Sequence, residues 1–235
     1  GIAAAVPAAA ADYALGAGVH FDRREYKGVD VEVLPAPIMN VETRYFYLHG
    51  LEAGGYLLKN DRHAVMLGIS YMPLEFDASD SDDARMKRLD DRDASAFANL
   101  SYRYLHPWFS LGAKISGDIS GESNGFLADV NVLKRFQVAR LGITPEVGLT
   151  WSSSNFNDYY YGISAAESRR SGLKAYSADS SVSGYARLFL DYSFSEHLSV
   201  WLEGSVRSLG SEVKDSPMVD DTTRIGFGGG VNWRF

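Results

Sequence analysis

Apolar and polar residues alternate with a period of two through much of this chain, and the alternation is cleanest at its end. Over 224–235, Ile225, Phe227, Gly229, Val231, Trp233 and Phe235 share one side of an extended strand, and Arg224, Gly226, Gly228, Gly230, Asn232 and Arg234 share the other. Successive strand side chains point to opposite faces, so one face is apolar and the other polar or small. The pattern recurs near the start, where Tyr13, Leu15, Ala17, Val19 and Phe21 alternate with Ala14, Gly16, Gly18 and His20. Between the two ends it returns at 63–76, 94–105, 108–117, 126–136, 138–151, 182–194 and 197–208. The stretch 41–58 reads as extended. Pro35 and Pro37, within 31–40, cannot donate ladder hydrogen bonds and so belong at an edge or in a loop.

The connections alternate as well. Short turns at 59–62, 105–107 and 194–197 interleave with longer, mostly charged loops at 77–93, 152–181 and 209–223. A soluble sandwich has no reason to place a long loop at every second connection, whereas a membrane barrel has short periplasmic turns and long outer loops. The pattern therefore predicts an all-β fold, a transmembrane antiparallel up-and-down β-barrel in the bacterial outer membrane. An even strand count is required. Ten strands result if 41–58 is one long bent strand, and twelve if 29–48 splits in two; ten is favoured. Closure should pair the first and last strands, with the glycines at 226, 228 and 230 leaving lumen-side room opposite Ala14, Gly16 and Gly18. Residues 12–235 form this barrel domain, and 1–11 (GIAAAVPAAAA) read as a signal-peptide remnant or a disordered terminus.

Composition supports this picture. Among 235 residues, 46% of them hydrophobic, no run approaches the ~20 apolar residues of a spanning helix. Barrel strands need only ~9–11 residues. Cysteine is absent, which removes disulfides and thiolate metal sites. A net charge of -7 argues against a nucleic-acid partner.

The predicted lumen face carries Arg103, Lys114, Asp129, Arg140, Glu146, Arg187, Asp191, Glu203, Arg207 and Arg224, with Arg234 at the end of the last strand. Two readings are open: a narrow charged conduit for small polar solutes, or a lumen filled by a salt-bridge network. The second carries more weight, because a barrel of about ten strands leaves little bore. Catalytic chemistry finds no motif. His20, His49, His63, His106 and His197 belong to no nucleophile or metal signature, and no catalytic residue, metal or cofactor is assigned. The loop 77–93 carries Asp77, Asp80, Asp82, Asp83, Asp90, Asp91 and Asp93 among Arg85, Lys87, Arg88 and Arg92. It lacks the turn glycine and closing Glu of a calcium loop, so it reads as a solvated surface loop, with weak divalent-cation contact shared with lipopolysaccharide phosphates as a hypothesis.

The most distinctive stretch is 158–179. It reads as an aromatic strand end, a turn at Gly162, a helix-tolerant Ala-Ala-Glu-Ser, a stop at Gly172 and a return through Tyr176. Tyr160, Tyr161, Gly162, Ile163, Ser171, Gly172, Leu173, Ala175 and Tyr176 resemble the hallmark loop of the MipA/OmpV family of outer-membrane proteins. The 30–38 segment (DVEVLPAPI) and the ending Trp233-Arg234-Phe235 are similar to that family too, so the resemblance runs over nearly the whole chain. It implies an outer-membrane barrel without catalysis, in contact with lipid and lipopolysaccharide. It also implies a monomeric scaffold that partners a murein transglycosylase and a penicillin-binding protein; other members are described as adhesins or routes of antibiotic uptake. Trp233 and the terminal Phe235 are similar to the signal read by the barrel-assembly machinery.

Overall fold

The computed structural model describes residues 12–29 and 31–235. The segment 1–11, expected to be a signal remnant or a disordered terminus, lies outside the described residues. The alternating segments form strands: β1 (Asp12–Arg23), β2 (Val31–Glu42), β3 (Phe46–His49), β4 (Glu52–Lys59), β5 (His63–Met72), β6 (Ser95–His106) and β7 (Phe109–Asp118). They continue as β8 (Phe126–Leu133), β9 (Phe136–Val138), β10 (Leu141–Ser152), β11 (Ser181–Ser193), β12 (Leu198–Ser208) and β13 (Thr223–Arg234). Each pairs antiparallel with its neighbour, β10 pairs with β11, and β1 pairs with β13 through Gly16↔Asn232, Gly18↔Gly230 and His20↔Gly228. The sheet closes on itself, as the first-to-last pairing expectation required. β8 and β9 face β10 in a single register (Leu133↔Glu146, Phe136↔Ile143), so they are two pieces of one wall strand and the barrel has twelve strands.

The favoured count of ten thus gives way to the alternative of twelve. With 31–42 itself a strand, the extended region breaks twice, at the Gly50–Leu51 tip between β3 and β4 and, before it, at Thr43. The Thr43 hydroxyl donates to the Phe46 carbonyl and accepts from the Tyr45 and Phe46 amides, which turns the chain between β2 and a strand of four residues. One threonine and an Arg are too slight a signal to divide an otherwise extended stretch. The bend inside 41–58 lies at the β3–β4 tip, where Gly50 adopts φ 58°. The bulge lies at Leu57, where the β4–β5 register slips between Tyr56 and Leu58. It turns Leu57 and Leu58 both outward (66% and 46% exposed), while Tyr56 and Lys59 stay inward.

The outward face is a continuous apolar surface, including Leu67, Ile69, Leu100, Ile115, Leu149, Leu188 and Ile225. An exposed patch of this extent is a liability in water and a requirement in hydrocarbon. Tyr45, Trp108, Phe194, Trp233 and Phe235 sit exposed at the short-turn end, where amphipathic rings favour the membrane interface.

The long loops depart from the solvated picture. Residues 77–93 contain two short 3-10 turns that bury Ala78 and Met86. The 152–181 loop holds two helices, α1 (Ser154–Tyr161) and α2 (Ala165–Ser171), and the last loop holds α3 (Ser211–Lys214). The expected aromatic strand end is therefore helix α1. Tyr26, Phe76, Met86, Phe156, Tyr160, Tyr161, Leu173 and Met218 pack into one hydrophobic core over the outer end of the barrel.

Candidate functional site

The barrel interior is tied together by polar contacts, some between neighbouring strands, where cross-strand side chains lie within reach, and some, such as Lys114–Glu52, between strands further apart. Lys114 donates to Glu52 at 2.5 Å, and Glu52 also accepts from the Tyr47 hydroxyl at 3.0 Å. Asp129 accepts from Thr150 (2.8 Å) and Tyr185 (3.1 Å). Arg187 lies 3.4 Å from both Glu146 and Glu203, and Arg207 donates to Thr150 at 3.0 Å. Arg224 forms a two-point pair with Asp22 at 2.6 and 3.1 Å. Asp191 takes two bonds from Arg135 near the short-turn end. Arg103 is half-buried on the inward side of β6. Arg140 differs from the rest: it sits in the turn before β10 and donates to the Phe194 carbonyl, at the rim rather than on the wall. Sequence reasoning missed a second network, in which Glu42 accepts from Tyr56 (2.6 Å), His49 (2.9 Å) and Lys59.

Trp201 occupies the seam that the inward glycines leave open. It is 4% exposed, and a Cβ on Gly18 would lie 2.6 Å from its ring, one on Gly230 2.8 Å from its Nε1. His20 packs on the same ring at 5.3 Å between centroids, and a Cβ on Gly228 would strike the imidazole. His20 is thus held among an indole and glycines. Among the described residues no group of His, Asp and Glu converges to hold a metal ion.

The cap is built from the distinctive loop. Ser164 and Glu167 form a reciprocal capping box that starts α2, and Gly172 ends it at φ 77°, the left-handed conformation glycine adopts without penalty. Ser171 is buried, and its hydroxyl accepts from the Leu173 amide. Gly162 closes α1, and Ile163 bridges back to Tyr176. Tyr160 is fully buried, its hydroxyl bonded to Ser95 (2.8 Å) and the Asp93 carbonyl (3.0 Å). Tyr161 donates to Glu25 at 2.5 Å, and Tyr176 to the Glu212 carbonyl at 2.8 Å. These contacts join all the long loops.

Arg92 clamps the cap by donating to Glu167 at 2.8 Å and to the Gly162 carbonyl at 3.1 Å. Burial pushes the Glu167 carboxyl up, but Arg92 and the Ser164 and Asp90 amides outweigh it and hold it down at about 2. The Ser-x-x-Glu spacing of this box is readable in sequence; its partner Arg92, from another loop, is not. In the 77–93 loop, Asp83 pairs with Arg85 at 2.8 Å, and Asp91 accepts from the Ala78 amide. Trp233 is half exposed against His197, and the Phe235 amide donates to the Tyr13 carbonyl.

A closed antiparallel wall, apolar outside and charged within, with short turns at one end and a folded cap at the other, is an outer-membrane β-barrel protein. Its sequence places it within a family: the model described as MltA-interacting protein MipA matches residues 15–235, and the chain belongs to that family. It is 37% identical to the MltA-interacting protein of Escherichia coli K12 over 232 residues, covering 99% of this chain and 94% of the relative. It is 36% identical to the outer membrane protein YiaT of the same strain over 228 residues, covering 97% and 93%. The NanC porin shares 11% identity at a TM-score of 0.47, with 96% of this chain and all of that chain covered.

Proposed function

We propose that this protein is a non-enzymatic, monomeric scaffold of the outer membrane that binds peptidoglycan-synthesising enzymes, a murein transglycosylase first and a penicillin-binding protein second. The carrying observation is the occupied interior. Charge pairs line the inner wall, Lys114–Glu52 reaching from β7 to β4, and a hydrophobic core covers the outer end, so the parts left to act are its two rims. The transglycosylase is favoured by the name of the relative, MltA-interacting protein, which matches this chain nearly end to end.

The periplasmic rim offers little area, because its turns are short. It does carry exposed Arg44, Tyr45, Arg62 and Trp108, and aromatic and Arg side chains are those that anchor protein interfaces. The reading is tested by pull-down of a purified murein transglycosylase on the barrel in detergent. Binding should be retained by variants of the cap, such as Arg85→Glu, and lost in the double variant Arg44→Glu/Arg62→Glu. Failure of the unmodified barrel to retain the enzyme would overturn it.

A further inference from the structure

β2 is the thin place in the wall. On one side it pairs with β1 along its whole length. On the other it pairs with β3 at Asn40, Val41 and Glu42 alone, and the last rung is the Gly50 amide donating to the Met39 carbonyl at 3.2 Å. There the β3–β4 hairpin turns back, and the Leu51 carbonyl is taken by the Tyr71 amide of β5. Among the described residues no strand pairs with this edge of β2 over 31–38, roughly 25 Å of strand at ~3.3 Å per residue.

A bare edge inside a bilayer is costly, because hydrocarbon satisfies neither N–H nor C=O. The Met39 carbonyl faces the β3 side. Along a strand every second residue directs its backbone groups the same way, so positions 35 and 37 face the gap too. Both are proline. Pro35 and Pro37 remove two of the four amide donors that would lie bare there, leaving those of Val31 and Val33, so a strand added from a second copy or another protein would find none over the lower half of the edge. The edge is suited to meeting lipid rather than another strand. Its side chains agree: Val33 points outward at 56% exposure, and Leu34 and Ile38 are half-buried on the inward face.

The gap leads up to a cavity of about 460 Å³ between the top of β2 and the 73–93 loop. Arg24 lines it and spans its floor, bonded to Glu32 of β2 and, at 2.9 Å, to the Pro73 carbonyl after β5. Its side chain is 2% exposed, yet Nη1 has no partner. Arg24 is balanced by Glu32, and Arg92 by Glu167. Glu75, Asp77, Asp80, Asp91 and Asp93 then line the cavity with no ion pair among the described residues. They do not converge on a metal position. The site thus asks for an acceptor oxygen beside a diffuse positive group, attached to an apolar body.

We propose that the gap and cavity form a lateral binding site for an amine-bearing phospholipid. An acyl chain lies along the open edge of β2, a phosphate oxygen accepts from Arg24 Nη1, and the ammonium sits among the five carboxylates. A purely anionic headgroup, including the phosphates of lipopolysaccharide, meets the same carboxylates as repulsion.

The test uses the full chain in vesicles of equal parts phosphatidylethanolamine and phosphatidylglycerol. A benzophenone amino acid at Leu34, on the inward face beside the gap, should form lipid adducts on illumination. The same group at Ser205, inward on β12 and three strands away, should not. Native mass spectrometry after release from nanodiscs of that mixture should show phosphatidylethanolamine retained over phosphatidylglycerol by roughly tenfold, the scale of one charge-assisted hydrogen bond. Arg24→Gln should abolish retention. Should that variant fail to fold, Glu75→Gln/Asp80→Asn, at two exposed positions, should erase the preference while the barrel stays intact. No adduct at Leu34 above the Ser205 level overturns the lateral site. Equal retention of the two lipids, or lipopolysaccharide retained over both, overturns the assigned headgroup.

Discussion

At the scale of single residues, the seam between the ends of the chain is governed by what glycine omits. Gly18 and Gly230 face each other, and Trp201 from the adjoining strand fills the space between them. A methyl at Gly18 would lie 2.6 Å from the indole and 2.7 Å from the Gly229 carbonyl. Overpacking of this kind costs about 1–3 kcal/mol. Gly18→Ala should therefore unfold at a lower temperature, read as the loss of heat-modifiable migration on electrophoresis, and adding Trp201→Phe should restore part of the difference. The need for small inward residues was legible from the alternation alone. Their occupant was not: parity puts Trp201 inward, but only the register of β12 against β13 sets it over those glycines. The same limit separated Arg140 from the wall residues, since a turn of two residues decides whether the strand pattern has already begun.

At the scale of elements, the cap resolves into a few helical turns held by one buried ion pair. Both halves of the capping box are visible as Ser164 and Glu167, and Gly172 announces the end of α2, so that helix was legible. The helix before it was not, because Asn155 to Tyr161 is aromatic and poor in helix formers, and burial of Phe156, Tyr160 and Tyr161 in the cap core decides its conformation. Glu167 supplies a pH test. Its carboxyl is held at about 2 in the folded cap against an ordinary 4.5. A depressed pKa means the stabilisation is complete above the unfolded value and is lost as pH falls through the folded one. Pepsin cleavage within 163–176 should rise as the pH drops from 4.5 towards 2, with the strands resisting. Glu167→Gln should leave Arg92 buried without its partner, loosen the cap by roughly 3–5 kcal/mol, and expose the segment to trypsin at neutral pH.

At the scale of the whole molecule, the interior decides between conduit and anchor. Both signs of charge on neighbouring strands were apparent in the sequence, and so was the parity of short turns and long loops that sets orientation. Which carboxylate answers which base depends on strand register, and the breaks at Thr43 and Gly50, which add two strands beyond ten, set Glu42 and Glu52 among their interior partners. In planar bilayers the protein should show no discrete conductance steps. Trp201→Ala, which empties the seam, should raise the baseline leak while leaving the ion pairs in place. Regular stepwise conductance of the unmodified protein would establish a channel instead.

The pairing of β1 with β13 also sets the order in which the barrel forms. Tyr13 and Phe235 share a backbone hydrogen bond, so this contact spans nearly the full chain, and no earlier pairing can substitute for it. Loop-closure entropy is greatest for such a contact, and high sequence separation slows folding. Until that rung is laid down, an incomplete sheet with two free edges and an apolar outer face has to be kept from aggregating. The protein is committed to a long, exposed wait before it can close, and the time it spends in that state is set by its final strand.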